Sequence, residues 1–533
     1  MRGLMMKNNA LSGQEKLAVS SALTAFRVLP STDSDTRVFG RWFGYADFQP
    51  TGIFLEPGGY VRYQFSLPPR ANVKMQLLVG TPGFNTQGSE TECPRTHEMP
   101  EYPGIVTDPE GGLLWVRVIP DGVGPTVEEV TINFECIANS HRVPVFIQGE
   151  TSVDQWGQML EAAKEHGRAP VQLMSDKVVI TAWWETAYAY KSHDPSAVLD
   201  EYKEILRVEN EIGAIGYGAE QEPPSPLRIL VSEKESGNPN ATHYRISLPQ
   251  YGRSLLTPDG VRGDWGIWHE LGHMQHQISW SANALTENSV NIFSLAVQRA
   301  QKKYSRVVPY DREAHAFLNS SDPNKKFEDN DEFVRLIMWE QLRTAYGDAF
   351  FHRLHRESRS HGNHEPGQGD AQYRHYFMVT SAWAAQHDLT TFFTRWGWHP
   401  TPRTLDAIRD LRPPMPEPDP STLHVKAETQ IDAVEPHSDG IEIRGVARPG
   451  SRLKTTNDPD MGWYDPEGGI TYANASGDFS VVTRRLVDGN AVVKSYDPQT
   501  GEALGESNHV PVNLQGTAAE FSCCTEHETG ADH

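Results

Sequence analysis

Two histidines four residues apart, His269 and His273, bracket a glutamate in the segment His269-Glu270-Leu271-Gly272-His273. On a helix this spacing puts both imidazoles on one face, one turn apart, where they can converge on a single ion. Glu270 then stands beside that ion, placed to take a proton from water. A catalytic zinc ion takes three protein ligands and keeps one position open, so a third ligand is needed. Glu287 is the candidate, because it opens a second apolar-periodic stretch, residues 287–297, after a turn-rich gap. A return helix packed antiparallel to the first would bring Glu287 over the ion. Asn291, one turn further on, is positioned to accept the remaining N–H of a ligand histidine and fix its tautomer. His276 competes for the third place. The pattern that uses a third histidine has glycine at 276 and histidine at 279, where this chain has His276 and Ser279, so Glu287 is preferred.

The chemistry these residues predict is hydrolysis of an amide. One Zn2+ would lower the pKa of water towards about 7 and polarise the carbonyl, with Glu270 as general base. The oxyanion needs a further donor, for which Tyr373, His375 and Tyr376 in the segment Gln372-Tyr373-Arg374-His375-Tyr376-Phe377 are candidates.

The elements that must hold these groups are legible from periodicity. Trp265, Trp268, Leu271, Gly272, Met274 and Ile278 approximate an apolar stripe, so the motif helix is expected to be buried on that face. Around it, residues 150–416 read as an α+β peptidase domain with a mostly helical second half. Helices are expected near Val153–Glu165 and Ser196–Ile212, and strands near Lys177–Ile180 and Leu227–Val231. Residues 37–149 alternate with period two between Gly and Pro turns, which predicts a β-sandwich accessory domain after an N-terminal tail, 1–36. The proline-rich run 413–420 reads as a stiff linker into a second, immunoglobulin-like β-domain, 417–514, with a disordered tail at 515–533.

Composition narrows the partners. With 48 Lys and Arg against 70 Asp and Glu, the formal net charge of −22 offers no basic patch for nucleic acid. Cys93, Cys136, Cys523 and Cys524 show no thiolate zinc spacing, and Cys93 with Cys136 could form one bridge. No run approaches the roughly 20 apolar residues that span a bilayer, and the N-terminus lacks the apolar core of a signal peptide.

The segment from Gly263 to Gln275, followed by Thr286-Glu287-Asn288-Ser289-Val290-Asn291-Ile292-Phe293, resembles the enhancin-type metallopeptidases, the family of viral enhancins and bacterial mucinases. That family carries Trp-Gly before the zinc motif, a glutamate after a variable gap and an Asn-aliphatic-Phe run. The stretches Gln49–Gly58 and Asp388–Gly397 extend the resemblance to about three-quarters of the chain. It implies a gluzincin-type zinc endopeptidase acting outside the cell on glycoproteins, mucin-type O-glycosylated ones above all, with Trp265, Trp183 and Trp184 available to stack on sugar faces. Two other functions are weighed. A zinc aminopeptidase would carry a Gly-x-Met-x-Asn segment upstream, and none is found. An inactive glycan-binding or adhesion protein would be expected to have lost a ligand or Glu270, and all four positions are intact.

Overall fold

The computed structural model describes residues 23–512, apart from 69–70, 85–92, 100–102, 123–126, 167–168, 217–221, 250–254, 281–284, 361–368, 439, 457–469 and 484–489. Cys523, Cys524, the 515–533 tail and the first residues of the chain lie outside the described residues. Two units divide the chain. One comprises Met1–Val297 with Arg306–Val425, the other Gln298–Ser305 with Lys426–His533.

The first unit begins earlier than its sequence suggests. Residues 25–39, expected to lie mostly in a tail, form a strand, Ala25–Arg27, and a helix, Thr32–Phe39. The strand pairs with Glu129–Arg142 at the edge of a seven-stranded antiparallel sheet built around the long strand Phe48–Phe65. Alternation in Glu129–Arg142 sends Val130, Ile132 and Phe134 inward, as period-two burial requires. The bridge that Cys93 and Cys136 could have formed is not made. Both thiols are free, Cys93 exposed in the bend before the strand Arg95–Glu98 and Cys136 half-buried within Glu129–Arg142.

A second sheet has six strands in the order Asn240–Thr242, Arg245–Pro249, Ile229–Lys234, Val178–Trp183, Pro170–Met174, Val145–Ile147. Its centre is parallel and its central strands are buried on both faces, so Val178–Trp183 reads as a continuous run rather than an alternating one. One face shares an apolar layer with the first sheet, through Phe48, Leu78, Leu113 and Trp115 against Val145, Met174, Val179 and Leu230. The other face supports the helices, including Val153–Ala162 and Pro195–Ile212, and the later helical half, in one large core. The short antiparallel strand Asn240–Thr242 closes this sheet, and among the described residues its outer edge pairs with no further strand.

The proline-rich segment is pinned rather than loose. Gln341 donates to the carbonyls of Ser421 and Leu423, and Arg395 donates to the Ser421 hydroxyl, so residues 421–425 belong to the first unit. In the second unit, the sheet Thr429–His437, Gly440–Ala447, Asp478–Thr483 and the sheet centred on Arg452–Thr456 and Asn490–Tyr496 share a core of Ile431, Ile443, Leu453, Phe479 and Val493. Among the described residues no helix is long and apolar enough to cross a membrane.

Candidate metal centre

Asp264 starts the motif helix, Trp265–His273, by accepting from the Gly266 amide at 2.7 Å, a cap that aligns the first turn. Ile267, Trp268, Leu271 and Gly272 are buried on the face turned to the core. Gly272 is required by packing. A Cβ there would come within 3.0 Å of Val290 Cγ2 and 3.2 Å of Phe293 Cβ, so its absence lets the following segment approach. That segment is a single turn, Thr286–Ser289, then a break at Val290, then the helix Asn291–Ala300. The continuous helix expected from Glu287 is therefore two pieces, and the first turn carries Glu287.

The result is a triangle of ligand atoms. His269 Nε2 lies 3.1 Å from His273 Nε2, and Glu287 Oε2 lies 3.0 Å from the first and 3.3 Å from the second. Tetrahedral zinc with bonds of 2.0–2.1 Å spaces its ligands about 3.3 Å apart, so the three residues fit the ion. Two imidazole nitrogens facing each other and a shared carboxylate oxygen also suit a cation better than protons alone. Asn291 holds the arrangement from behind. Its Oδ1 is 2.8 Å from His269 Nδ1 while its Nδ2 donates to the Glu287 carbonyl at 2.9 Å. One side chain thus orients a ligand histidine and ties down the backbone of the ligand glutamate.

Electrostatics follow the geometry. Hydrogen bonds from His269 and His273 hold the Glu287 carboxyl well below its ordinary value. Burial pulls the His269 imidazole down, yet its bonds to Glu287 and Asn291 carry it above its ordinary value. Glu270 is buried, and burial lifts its carboxyl against the opposing pull of His269 and His273. A carboxyl held this way is poised to exchange a proton.

A cleft of about 190 Å³ opens on the centre, lined by Trp42, Phe43, Pro239, Asn240, Ala241, Glu270, His273, His276, Thr286 and Glu287. Sequence reasoning missed Trp42 and Phe43. They sit 228 positions or so upstream of Glu270 and arrive by a loop pinned to the residues after the motif helix. The Trp42 amide donates to the His276 carbonyl at 2.9 Å, Ile278 donates to Gly40 at 2.9 Å, and Gln277 Nε2 donates to Phe39 at 3.0 Å. On the other side, Tyr244 donates to Gly44 at 2.7 Å and Phe43 meets the His243 ring edge to face at 5.5 Å. A pair of aromatics with no periodic context gives no local sign of such a role.

The other residues singled out by sequence have different surroundings. His276 lies beyond the helix end at Met274, so it leaves the ligand face; its Nε2 is 2.9 Å from the Ser289 hydroxyl, and burial drives its imidazole well below the ordinary value. Trp265 packs the helix start against Trp268 and Phe333, with Arg306 over its ring. Trp183 packs on Phe84, and Trp184 donates to the Leu160 carbonyl while stacking on Tyr188. None of these three tryptophans lines the cleft among the described residues. Tyr373, His375 and Tyr376 ride the helix Asp370–Ala385. His375 Nδ1 is 2.9 Å from the Thr404 hydroxyl, Tyr376 hydrogen-bonds Ser279 and Thr380, and Tyr373 packs on the core; the cleft lining includes none of them.

Comparison with known proteins now fits this geometry. Residues 139–397 match the family described as peptidase M60, enhancin and enhancin-like. The match covers this segment, a little under half of the chain, and the segment is similar to that family. The chain is 24% identical over 369 residues to TRPM8 channel-associated factor 3 of Rattus norvegicus, covering 65% of this chain and 38% of that one. It therefore spans about two fifths of the length of that curated relative. Among solved structures, a functionally unknown conserved protein of Bacillus anthracis matches with a TM-score of 0.63 at 22% identity, over 92% of this chain and 99% of that chain. The M60 catalytic domain of Clostridium perfringens ZmpC, solved in complex with the sialyl T antigen, matches with a TM-score of 0.61 at 17% identity, over 92% and 100%. At these identities the likeness is one of fold.

Proposed function

We propose that this protein is a zinc-dependent endopeptidase that cuts glycoproteins, mucin-type O-glycosylated ones in particular. The observation that carries the reading is the triangle of His269, His273 and Glu287 with the buried carboxyl of Glu270 in the same cleft. When bound, one Zn2+ supplies a Lewis acid that polarises a carbonyl and makes water nucleophilic near neutral pH. Glu270 accepts the proton of the attacking water and returns it to the leaving amine. His269 and His273 hold their ring orientation through Asn291 and the packed helix, which keeps the cleft ready before substrate arrives.

Two features support an endopeptidase over an aminopeptidase. The outer edge of Asn240–Thr242 borders the cleft, where an extended chain can add as a further strand and run past the centre in both directions. Trp42, 37% exposed on the cleft wall, offers an aromatic face on which the apolar side of a sugar can stack. The sialyl T complex of the ZmpC domain lends the glycan part of the reading its chemical class. We also read residues 37–149, built on the seven-stranded sheet, as the accessory β-domain and the two-sheet second unit as the immunoglobulin-like module. The names of the curated relatives describe association with a channel, which favours a second reading as a binding protein with no turnover. The intact Glu270 and ligand set argue against it.

Digestion of an O-glycosylated protein before and after enzymatic removal of its glycans, with cut sites mapped by mass spectrometry, tests the proposal. Cleavage of the glycosylated form alone, lost in Glu270→Gln, is the expected outcome. Equal cutting of both forms removes the glycan dependence, and no cutting by the zinc-loaded chain favours the binding reading.

A further inference from the structure

A second group of ligands lies outside the cleft. Asp311 and His315 are one turn apart on the helix Asp311–Leu318, and His424 comes from the segment that ends the first unit. His424 Nδ1 is 2.6 Å from Asp311 Oδ2, His315 Nε2 is 3.6 Å from Asp311 Oδ1, and one ligand atom from each residue falls within 4.8 Å of the other two. The two imidazoles lie nearly parallel with centroids 3.8 Å apart. Two stacked imidazoles beside one carboxylate bring basic nitrogens together at a place where no apolar core demands it, since His424 is 54% exposed.

A cation would replace hydrogen bonds within the group and leave the backbone groups around it satisfied. His315 Nε2 is 3.2 Å from the Leu423 carbonyl, and that oxygen keeps its bond from Gln341 Nε2 at 2.9 Å when His315 exchanges the contact for an ion. Asp311 Oδ1 accepts from the Val425 amide at 2.8 Å, which fixes the carboxylate and leaves Oδ2 to face His424. The separations of 2.6 and 3.6 Å bracket the roughly 3.3 Å between ligands of tetrahedral zinc, and the exposed His424 can rotate to even them. Two imidazoles and one carboxylate select zinc, cobalt, nickel or copper over magnesium or calcium.

We infer that Asp311, His315 and His424 form a second site for a divalent cation of the zinc class, which clamps residues 423–425 to the helix Asp311–Leu318. The site has a structural role. The backbone of Leu423 and Val425 is held there already by the side chains of His315 and Asp311, and the cation would tie the His424 side chain to the same helix.

The test is zinc stoichiometry on the full chain, dialysed against zinc and then against buffer, with protein-bound metal measured by mass spectrometry. His424→Ala is the chosen variant because its side chain is exposed and its loss is tolerable to the fold. The native chain is expected to hold one zinc more than His424→Ala, with peptidase activity the same in both. His269→Ala/His273→Ala is expected to keep the zinc that His424→Ala loses, and Co(II) loaded into it should show the absorption of a nitrogen-ligated tetrahedral ion. Equal zinc content in the native chain and His424→Ala overturns the inference. The difference between those two proteins is independent of what the cleft binds, so failure of the proposed peptidase leaves this result readable.

Discussion

The two histidine clusters of the first unit are built alike and differ in what surrounds them. Each takes two ligands one helical turn apart, His269 and His273 in one and Asp311 and His315 in the other, and a third from a later segment. In the first, the ligand atoms are within 3.3 Å of each other, Asn291 orients His269, and a buried carboxyl stands next to them in a cleft. In the second, the carboxylate is shared with the Val425 amide and His424 faces solvent. The ability to hold a metal is therefore a matter of spacing, whereas the ability to use one needs an adjacent buried base and room for substrate.

The comparison can be broken most sharply at Glu270. Glu270→Gln is expected to lower turnover about 10²- to 10⁴-fold with zinc content unchanged, by metal analysis and a peptide assay; loss of zinc together with activity would make Glu270 a structural residue instead. Asn291→Ala should weaken zinc binding in the cleft about 10- to 100-fold, read by competition with a chelator, and leave the second cluster untouched. Gly272→Ala should force Val290 and Phe293 away and destabilise the first unit by about 1–3 kcal/mol, seen as a lower unfolding temperature that zinc only partly restores. Trp42→Ala is expected to cost roughly threefold to tenfold in kcat/KM on a glycosylated substrate, and nothing on its deglycosylated form. Smallest of all, Asp311→Asn should weaken acceptance from the Val425 amide and speed its hydrogen exchange about fivefold, with no change in turnover.

What could be read in the sequence was what depends on short-range spacing. The four-residue step from His269 to His273 lies on one helix, and the step from Glu287 to Asn291 keeps its spacing across the break at Val290. The division into a β-rich first part, an α+β centre and a β-rich end was also legible, because period-two and period-3.6 patterns survive whatever the elements pack against. Helix ends were not. His276 seemed to share the ligand face only while the helix was taken to continue past Met274. The resemblance offered the tryptophans at 183, 184 and 265 for sugar contact, and each packs against ring or carbonyl partners away from the cleft lining. Trp42 had no local signal at all, because its place in the cleft depends on hydrogen bonds to residues more than 230 positions away in the chain.

The pinned loop that carries Trp42 has a practical corollary for anyone dissecting the molecule. The family match begins at residue 139, and a fragment cut there would keep every ligand and the general base. It would also lack residues 39–44, whose backbone meets the stretch just after the motif helix, so the carbonyl of His276 and the amide of Ile278 would lose their partners. Such a fragment would carry the three ligand residues and Glu270 but lack Trp42 and Phe43 from the wall of the cleft, and what it binds would misrepresent the whole chain.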